Sequence, residues 1–495
     1  MKANKAFKVV EIQDSQNKYK LSRDIIWILM FAISFIHGLM CISQGILSSC
    51  VTKIKEELFL SDEDYGMFGT ISGFGSLTGS LIFTLIIERV SHKYLLCSML
   101  IINCLSHFAF FFKMAYPILL FSRFISGFAS VFCYIYFPMW VDEFGFKDWL
   151  NFMQTTVQVS NTIGKIYGYF FYYYIGSSQW KYGFLTEVFS VCLLTLLLAI
   201  IPDIYYDKCD DEDVESEYNI VNSEEKVKLK NENNENNINV NTDLKKEKCS
   251  IKKGIIFNIP FILINFYRAN RIFIVVAIDF WYSDYLQNTL LISEPFQIFL
   301  SYSIAIVLSP LIGLLLGGFI SKNIGGPKGK YSFKAILYLF LASLFFGILS
   351  HFQNNINYFT TLLSFHMILS SASGLISISA SYAVVPKNLI GPATGIYSII
   401  VNLLGFLPSP YTYAFLKHFF ENGNYIILFL MIYGIFGALN VFVADEYMKM
   451  DQIFIYKEDK KINNNKNNEL VINSNNKDDK DDKDDKEETD KNLNE

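Results

Sequence analysis

The run YPILLFSRFISGFASVFCYIYFP, residues 116–138, is fit for hydrocarbon at every position except Arg123. A charge at the centre of a membrane helix costs roughly 2.5–3.5 kcal/mol on insertion scales, so such a residue faces the interior of a bundle or reaches an interface. In the interior, a guanidinium can bind an anionic group or hold an ion pair that breaks during a working cycle. The alternative is snorkelling to the nearby interface, since Pro117 is close. A second costly group is Asp279 in RIFIVVAIDFWYSDYLQ, eight residues after Arg271. Eight residues span about 12 Å of helix. With Arg271 at the flank, this places Asp279 near mid-membrane and makes it the expected counter-charge of Arg123. Tyr282 and Ser283, at i+3 and i+4, share its face. A buried carboxylate there can carry a proton or sit in a structural ion pair.

A third signal is Lys165 in QVSNTIGKIYGYFFYYY. Gln154, Gln158, Asn161 and Lys165 recur at steps of four, three and four, which makes one polar stripe on one helix face. Within a membrane such a stripe lines a wet cavity or bonds to a partner helix. Gly164 and Gly168 form a small-xxx-small pair, which predicts a close helix crossing on an adjoining face. The candidate substrate-binding set is therefore Arg123, Gln158, Asn161, Lys165, Asp279 and Tyr282, with Asp279 the candidate for proton coupling. His37 and His366 are single intramembrane histidines, read first as packing residues. The glycines of GTISGFGSLTGS (69–80) predict tight packing that can slide.

The elements that must position these groups follow from composition. The chain has 495 residues, is 52% hydrophobic and only 18% charged. Its charges crowd into residues 1–24, 203–253 and 446–495. Between them lie apolar blocks of about 20 residues, each enough to cross a bilayer core as a helix. They fall near 25–50, 65–87, 94–113, 116–141, 152–175 and 182–202, then 270–289, 296–320, 333–351, 358–384, 390–416 and 425–444. The expectation is an all-α membrane protein with twelve transmembrane helices in two six-helix bundles. The bundles are expected over 25–203 and 255–445, the second opening with a short interfacial helix near 255–266. Residues 1–24 form an N-terminal segment. The linker 204–254 and the acidic tail 446–495 are too polar to bury a core. Lys and Arg favour one set of alternate loops, which puts both termini in the cytosol. The first span is expected to serve as the insertion signal, no cleavable signal peptide being legible. The parallel-repeat plan is that of many secondary transporters.

The loop TLIIERVSHKYLL (84–96) resembles the G-x-L-a-D-R-x-G-R-K loop between spans 2 and 3 of the major facilitator superfamily. Glu88, Arg89, His92 and Lys93 stand at its charged positions. Arg123, Gly127 and Ala129 resemble that superfamily's R-x-x-x-G-x-G of span 4. SSQWKYGF (177–184) resembles its W-R-x-x-F, and PKNLIGPATG (386–395) resembles the opening of its span 11. Within the superfamily, ERVSHKYLL and NLLGFLPSPY (402–411) are similar to the D-R-x-x-R-K-Y-L and H-x-L-G-D-x-x-S-P-Y of Spinster-like lipid transporters. The resemblance implies the major facilitator fold and alternating access by two rocking bundles. It implies a cytosolic gate at Glu88, Arg89 and Lys93, and an amphipathic anionic substrate such as a lysolipid. The Asp-Arg pair of span 1 in those transporters is replaced here by Ser43 and Gln44. Their span-4 glutamate is Ser130, and Asn402 and Phe406 replace the span-11 His and Asp. Facilitated diffusion or a different coupling residue is the expectation.

The alternatives are a transporter of polar metabolites or organic anions, and a transporter-like receptor that moves nothing. The cysteines form no CxxC or metal spacing, no metal site is legible, and no G-x-x-x-x-G-K-[ST] loop is present. No cofactor, no nucleic acid partner and no enzyme activity are expected. A monomer in contact with membrane lipids and a small-molecule or lipid substrate is expected.

Overall fold

The computed structural model describes residues 23–87, 90–146, 149–206, 258–325, 331–385, 390–420 and 423–449. These residues are helical with short connections and contain no strand. The first half comprises α1 (Arg23–Leu39), α2 (Ile42–Ser49), α3 (Val51–Leu58), α4 (Asp62–Ile86), α5 (His92–Phe111), α6 (Tyr116–Phe144), α7 (Leu150–Ile175) and α8 (Trp180–Ile200). The second comprises α9 (Ile259–Asp284), α10 (Pro295–Tyr302), α11 (Ser309–Asn323), α12 (Ser332–His351), α13 (Ile356–Ala383), α14 (Ile390–Val401) and α15 (Ser409–Phe419). It ends with α16 (Asn424–Lys449). Ten helical stretches are long and apolar enough to cross a membrane among the described residues; α1–α2, α10–α11 and α14–α15 each make one such stretch. α4 and α7, 25 and 26 residues long, stand second and fifth in the order expected for twelve.

Helix starts follow local chemistry. Ser61 caps α4 by accepting from the Asp64 N–H, and Asp64 returns a bond to the Ser61 N–H. Acids at Asp62, Glu63 and Asp64 complement the positive end of the helix dipole. Asn258 caps α9 through its side chain and Pro260 sits in the first turn, where its missing N–H is harmless. The segment expected to lie apart as an interfacial helix therefore belongs, from Ile259 onward, to one continuous α9. No breaker separates Phe261 from Asp284, and Arg268 is tolerated because it is buried against Asn265 and Ser381. Arg271 is thus well inside the span, about 18 Å from its start. Asp279, about 30 Å from that start, lies toward the opposite end rather than at mid-depth. Pro408 and Pro410 do not break the eleventh span. A π-helical turn at Asn402–Phe406 carries α14 into α15, with the Leu407 N–H donating to the Asn402 carbonyl at 2.9 Å.

Glycines set the closest crossings. A Cβ on Gly127 of α6 would come within 2.0 Å of the Ser72 carbonyl of α4, and one on Gly164 of α7 within 1.8 Å of the Gly38 carbonyl of α1. Replacing Gly127 with Val is expected to destabilise the fold by at least the 1–3 kcal/mol typical of overpacking. The check is a lower melting temperature and a lower yield of the purified protein in detergent. Within the first half, α4 packs on α6, α5 on α6 and α8, and α7 on α1 and α2. Within the second, α13 packs on α11 and α12, and α9 on α13 and α15. The halves meet where α4 lies along α14–α15, α2 along α9, and α7 along α10.

Candidate functional site

Lys165 of α7 projects across the seam to Asp279 of α9, with its Nζ 2.5 Å from Asp279 Oδ2. The Tyr302 hydroxyl donates to Asp279 Oδ1 at 2.7 Å. Ser48 of α2 donates to the Asp279 backbone carbonyl and bonds Tyr169 at 2.7 Å. Tyr169 of the first half stacks on Tyr302 of the second at 3.5 Å. A carboxylate largely removed from water is stable only when paired and hydrogen-bonded, and here both halves of the molecule supply the partners of Asp279. Asn161, four residues before Lys165, donates to the Tyr134 hydroxyl at 3.3 Å. Tyr134 sits in mid-α6 with its ring against His37 of α1, yet is 37% exposed. The side chain of Gln158 lies outside the described residues. Tyr282 is buried in the second half, bonded to Ser301 at 2.6 Å, and reaches the pair only through its edge contact with Tyr302.

Arg123 does not meet Asp279. It is buried inside the first bundle, 5.9 Å from the Phe110 ring, where Glu187 and Tyr65 are close enough to act on its charge. Pairing across the molecule goes to Lys165 because α7, not α6, faces α9 and α10 at this level. Glu187 of α8 is fully buried and accepts from the Ser43 N–H at 2.8 Å. His107 Nδ1 lies 3.2 Å from its other oxygen, and His107 Nε2 contacts Ser126 at 3.0 Å. Glu187 of span 6 thus places a buried carboxylate against the backbone of Ser43 in span 1. Sequence reasoning missed Glu187 because it lay unremarked within the apolar run of the sixth span. His37 and His366 each bond a backbone carbonyl, of Val157 and Ser343, consistent with packing roles.

One end of the seam, carrying α3 and the first turn of α4, is sealed by alternating charges. Lys55 contacts Asp62 and lies 3.5 Å from Asp284. Lys417 of α15 reaches Asp284 at 2.7 Å and Asp62 at 3.3 Å. Both lysines lie about one ring-contact distance over Trp281, at 6.0 and 5.7 Å. Beside them Thr52 bonds Gln287 at 2.6 Å, and Ser283 donates to the Ser49 carbonyl at 3.0 Å. This latch is not foreseen from the sequence; the D-x-x-x-x-D spacing of Asp279 and Asp284 is the available signal. An open cavity of about 420 Å³ at the same end is lined by Ser49, Thr52, Lys53, Glu56, Tyr172 and Gln287; it does not reach Lys165. At the other end, Lys93 pairs with Asp203 at 2.8 Å, a contact within the first half. Glu88 and Arg89, its expected gate partners, lie outside the described residues.

Burial alone would raise the carboxyl of Asp62, but the hydrogen bond from Lys55 and the charges of Lys417 and Lys55 outweigh it and hold the group below the ordinary range. A depressed carboxylate stabilises the folded form above its unfolded value of about 3.9 and loses that contribution as pH falls through the folded value. Thermal stability in detergent is expected to carry this contribution unchanged from pH 8 to 5 and to lose it below about pH 4. An Asp62→Asn variant should show a shallower acid loss. Identical acid profiles for both proteins would remove Asp62 from the latch.

The Major Facilitator Superfamily profile matches residues 33–410. The chain belongs to that superfamily. As a member it is a multi-pass membrane transporter, not an enzyme. The fold is shared with a bacterial homologue of the human lysosomal transporter Spinster in an inward-facing, occupied conformation. That match has TM-score 0.66 and 12% identity, over 86% of this chain and 98% of that one. The nucleoside transporter NupG matches with TM-score 0.59 and 13% identity, over 84% and 99%. The xylose transporter XylE from E. coli matches with TM-score 0.60 and 14% identity, over 84% and 95%. At these identities the likeness is one of fold. No curated protein matches the chain in sequence.

Proposed function

We propose that this superfamily member is a secondary transporter of a small, amphipathic, anionic organic molecule of the lysolipid kind, working by alternating access as a monomer. The bundles 25–203 and 255–445 rock about the seam, with both termini in the cytosol and the latch on the far side. The observation that carries this reading is the concentration of ionic bridges between the halves at one end. Lys165–Asp279 and the four-residue latch close that end, while small-residue crossings along α4 let packed helices slide. Such a seam is bistable, because each charge must exchange one partner for another rather than drift. The fold likeness to the bacterial Spinster homologue supports the lipid arm of the reading. The ionic Lys165–Asp279 seam, together with a fold shared with nucleoside and xylose transporters, favours a second reading in which the substrate is a polar metabolite.

Full-length protein in proteoliposomes, offered labelled lysolipid and a panel of nucleosides, sugars and organic anions with and without a pH gradient, separates these. Lysolipid movement alone is the expected result. Movement of a polar solute alone would install the second reading. No movement of any compound by folded protein would make it a receptor and overturn both.

A further inference from the structure

Two more arginines lie deep in the second bundle, one helical turn apart on α9. Arg268 is buried with its Cζ 3.6 Å from the Tyr397 ring centroid. Its Nη1 faces Asn265 Oδ1 and Ser381 Oγ, both at 3.3 Å. Arg271 is partly exposed and rests on the backbone of Gly374, where a Cβ would come within 2.7 Å of its Cζ. The Arg271 Nε is buried without a hydrogen-bond partner, as is the Ser370 hydroxyl one turn before Gly374. His366, one further turn back on α13, leaves its Nε2 equally unpartnered. Tyr267, Tyr397, Arg268 and His366 are the ionisable groups that interact electrostatically with Arg271. Among the described residues no carboxylate lies within ion-pair distance of either guanidinium. Arg123 has Glu187 nearby and Lys165 has Asp279; this pair has no such carboxylate among the described residues.

Two guanidiniums side by side with no carboxylate partner among the described residues make a site that favours about two negative charges on a ligand. A carboxylate brings one. A phosphate monoester brings about 1.5 to 2, with three acceptor oxygens that match the arginine fork. We propose that Arg268 and Arg271, with Ser370 and Tyr397, form a receptor for the phosphate group of the transported molecule. This inference rests on the transporter reading for the word transported, and on the site alone for the binding. Tyr397 fixes the plane of Arg268, and the missing side chain at Gly374 makes room for Arg271.

The test is calorimetric binding to full-length protein in neutral-lipid nanodiscs, using inorganic phosphate, glycerol 3-phosphate, lysophosphatidate, monoacylglycerol and acetate. The phosphate compounds are expected to bind and the other two to bind at least tenfold more weakly. Arg271→Gln is expected to weaken phosphate binding about 10–100-fold, the loss of one or two charge-assisted bonds. Arg271→Lys should recover part of it. Arg268→Gln is read beside Arg268→Lys and the melting temperature, because Arg268 is packed. Lys322→Gln on the exposed end of α11 serves as the control and should change nothing. Binding of glycerol 3-phosphate would identify a free phosphomonoester as sufficient; binding of lysophosphatidate alone would assign the site to a lipid headgroup. Unchanged affinity in folded Arg271→Gln and Arg268→Gln, equal binding of acetate, or an equal loss in Lys322→Gln would each overturn the proposal. Transport of a neutral solute with no phosphate binding would overturn it too, while leaving the transporter reading in place.

Discussion

Proteoliposomes carrying Asp279→Asn should transport about 10²–10³ times more slowly than those with the unaltered protein. Asp279 holds Lys165 and Tyr302 in one contact across the seam. Lys165 and Asp279 are largely but not fully buried. Removing one partner leaves the other charge unpaired, at a cost approaching the roughly 3–5 kcal/mol of a fully buried pair, and each 1.4 kcal/mol is a factor of ten. The cost falls on the sealed state alone, so a cycle that must pass through that state slows by about the same factor. The charge-exchanged protein Lys165→Asp/Asp279→Lys should recover part of the rate, since the pair is restored with altered hydrogen bonds. Replacing both by Met and Leu should seal the seam well and halt the cycle, because an apolar pair needs no partner exchange. Wild-type uptake by Asp279→Asn would show that the seam does not move through this contact.

The second large effect is at the latch. Asp284 is buried and takes Lys417 and Lys55 together. Asp284→Asn leaves two lysines with Asp62 as their remaining carboxylate, and the sealed end should open. Cys50 is buried and borders the cavity at that end, which makes it a native reporter. With the other cysteines replaced, a membrane-impermeant maleimide applied from that side should modify Cys50 about 10–100 times faster in Asp284→Asn, on the scale of a charged hydrogen bond. Lys417→Ala should act in the same direction and more weakly, because Lys55 remains. Equal labelling rates would mean that the latch contacts are decorative.

How much of this was legible depends on the kind of interaction. The stripe of Asn161 and Lys165 and the close crossing at Gly164 are properties of one helix and its periodicity, and each reads directly off the chain. The partner of Arg123 is not such a property. Asp279 was the nearest conspicuous acid by reasoning along the sequence, but α6 presents Arg123 to α5 and α8, while α7 turns Lys165 toward α9. By sequence Arg271 reads as a flank, because charges end most spans. It lies inside one because Asn258 and Pro260 start α9 earlier and Arg271 packs against Gly374 of α13.

The sequence by itself determined the helices and the expensive groups inside them. A bilayer accepts no unpaired backbone, so each apolar run has one available structure, and a charge within it must find an interior. Only the tertiary structure decided which charges meet. Lys165 and Asp279, or Lys55, Asp62, Asp284 and Lys417, are joined by the rotation and tilt of packed helices, and those depend on the summed fit of side chains from both halves rather than on any spacing within one segment.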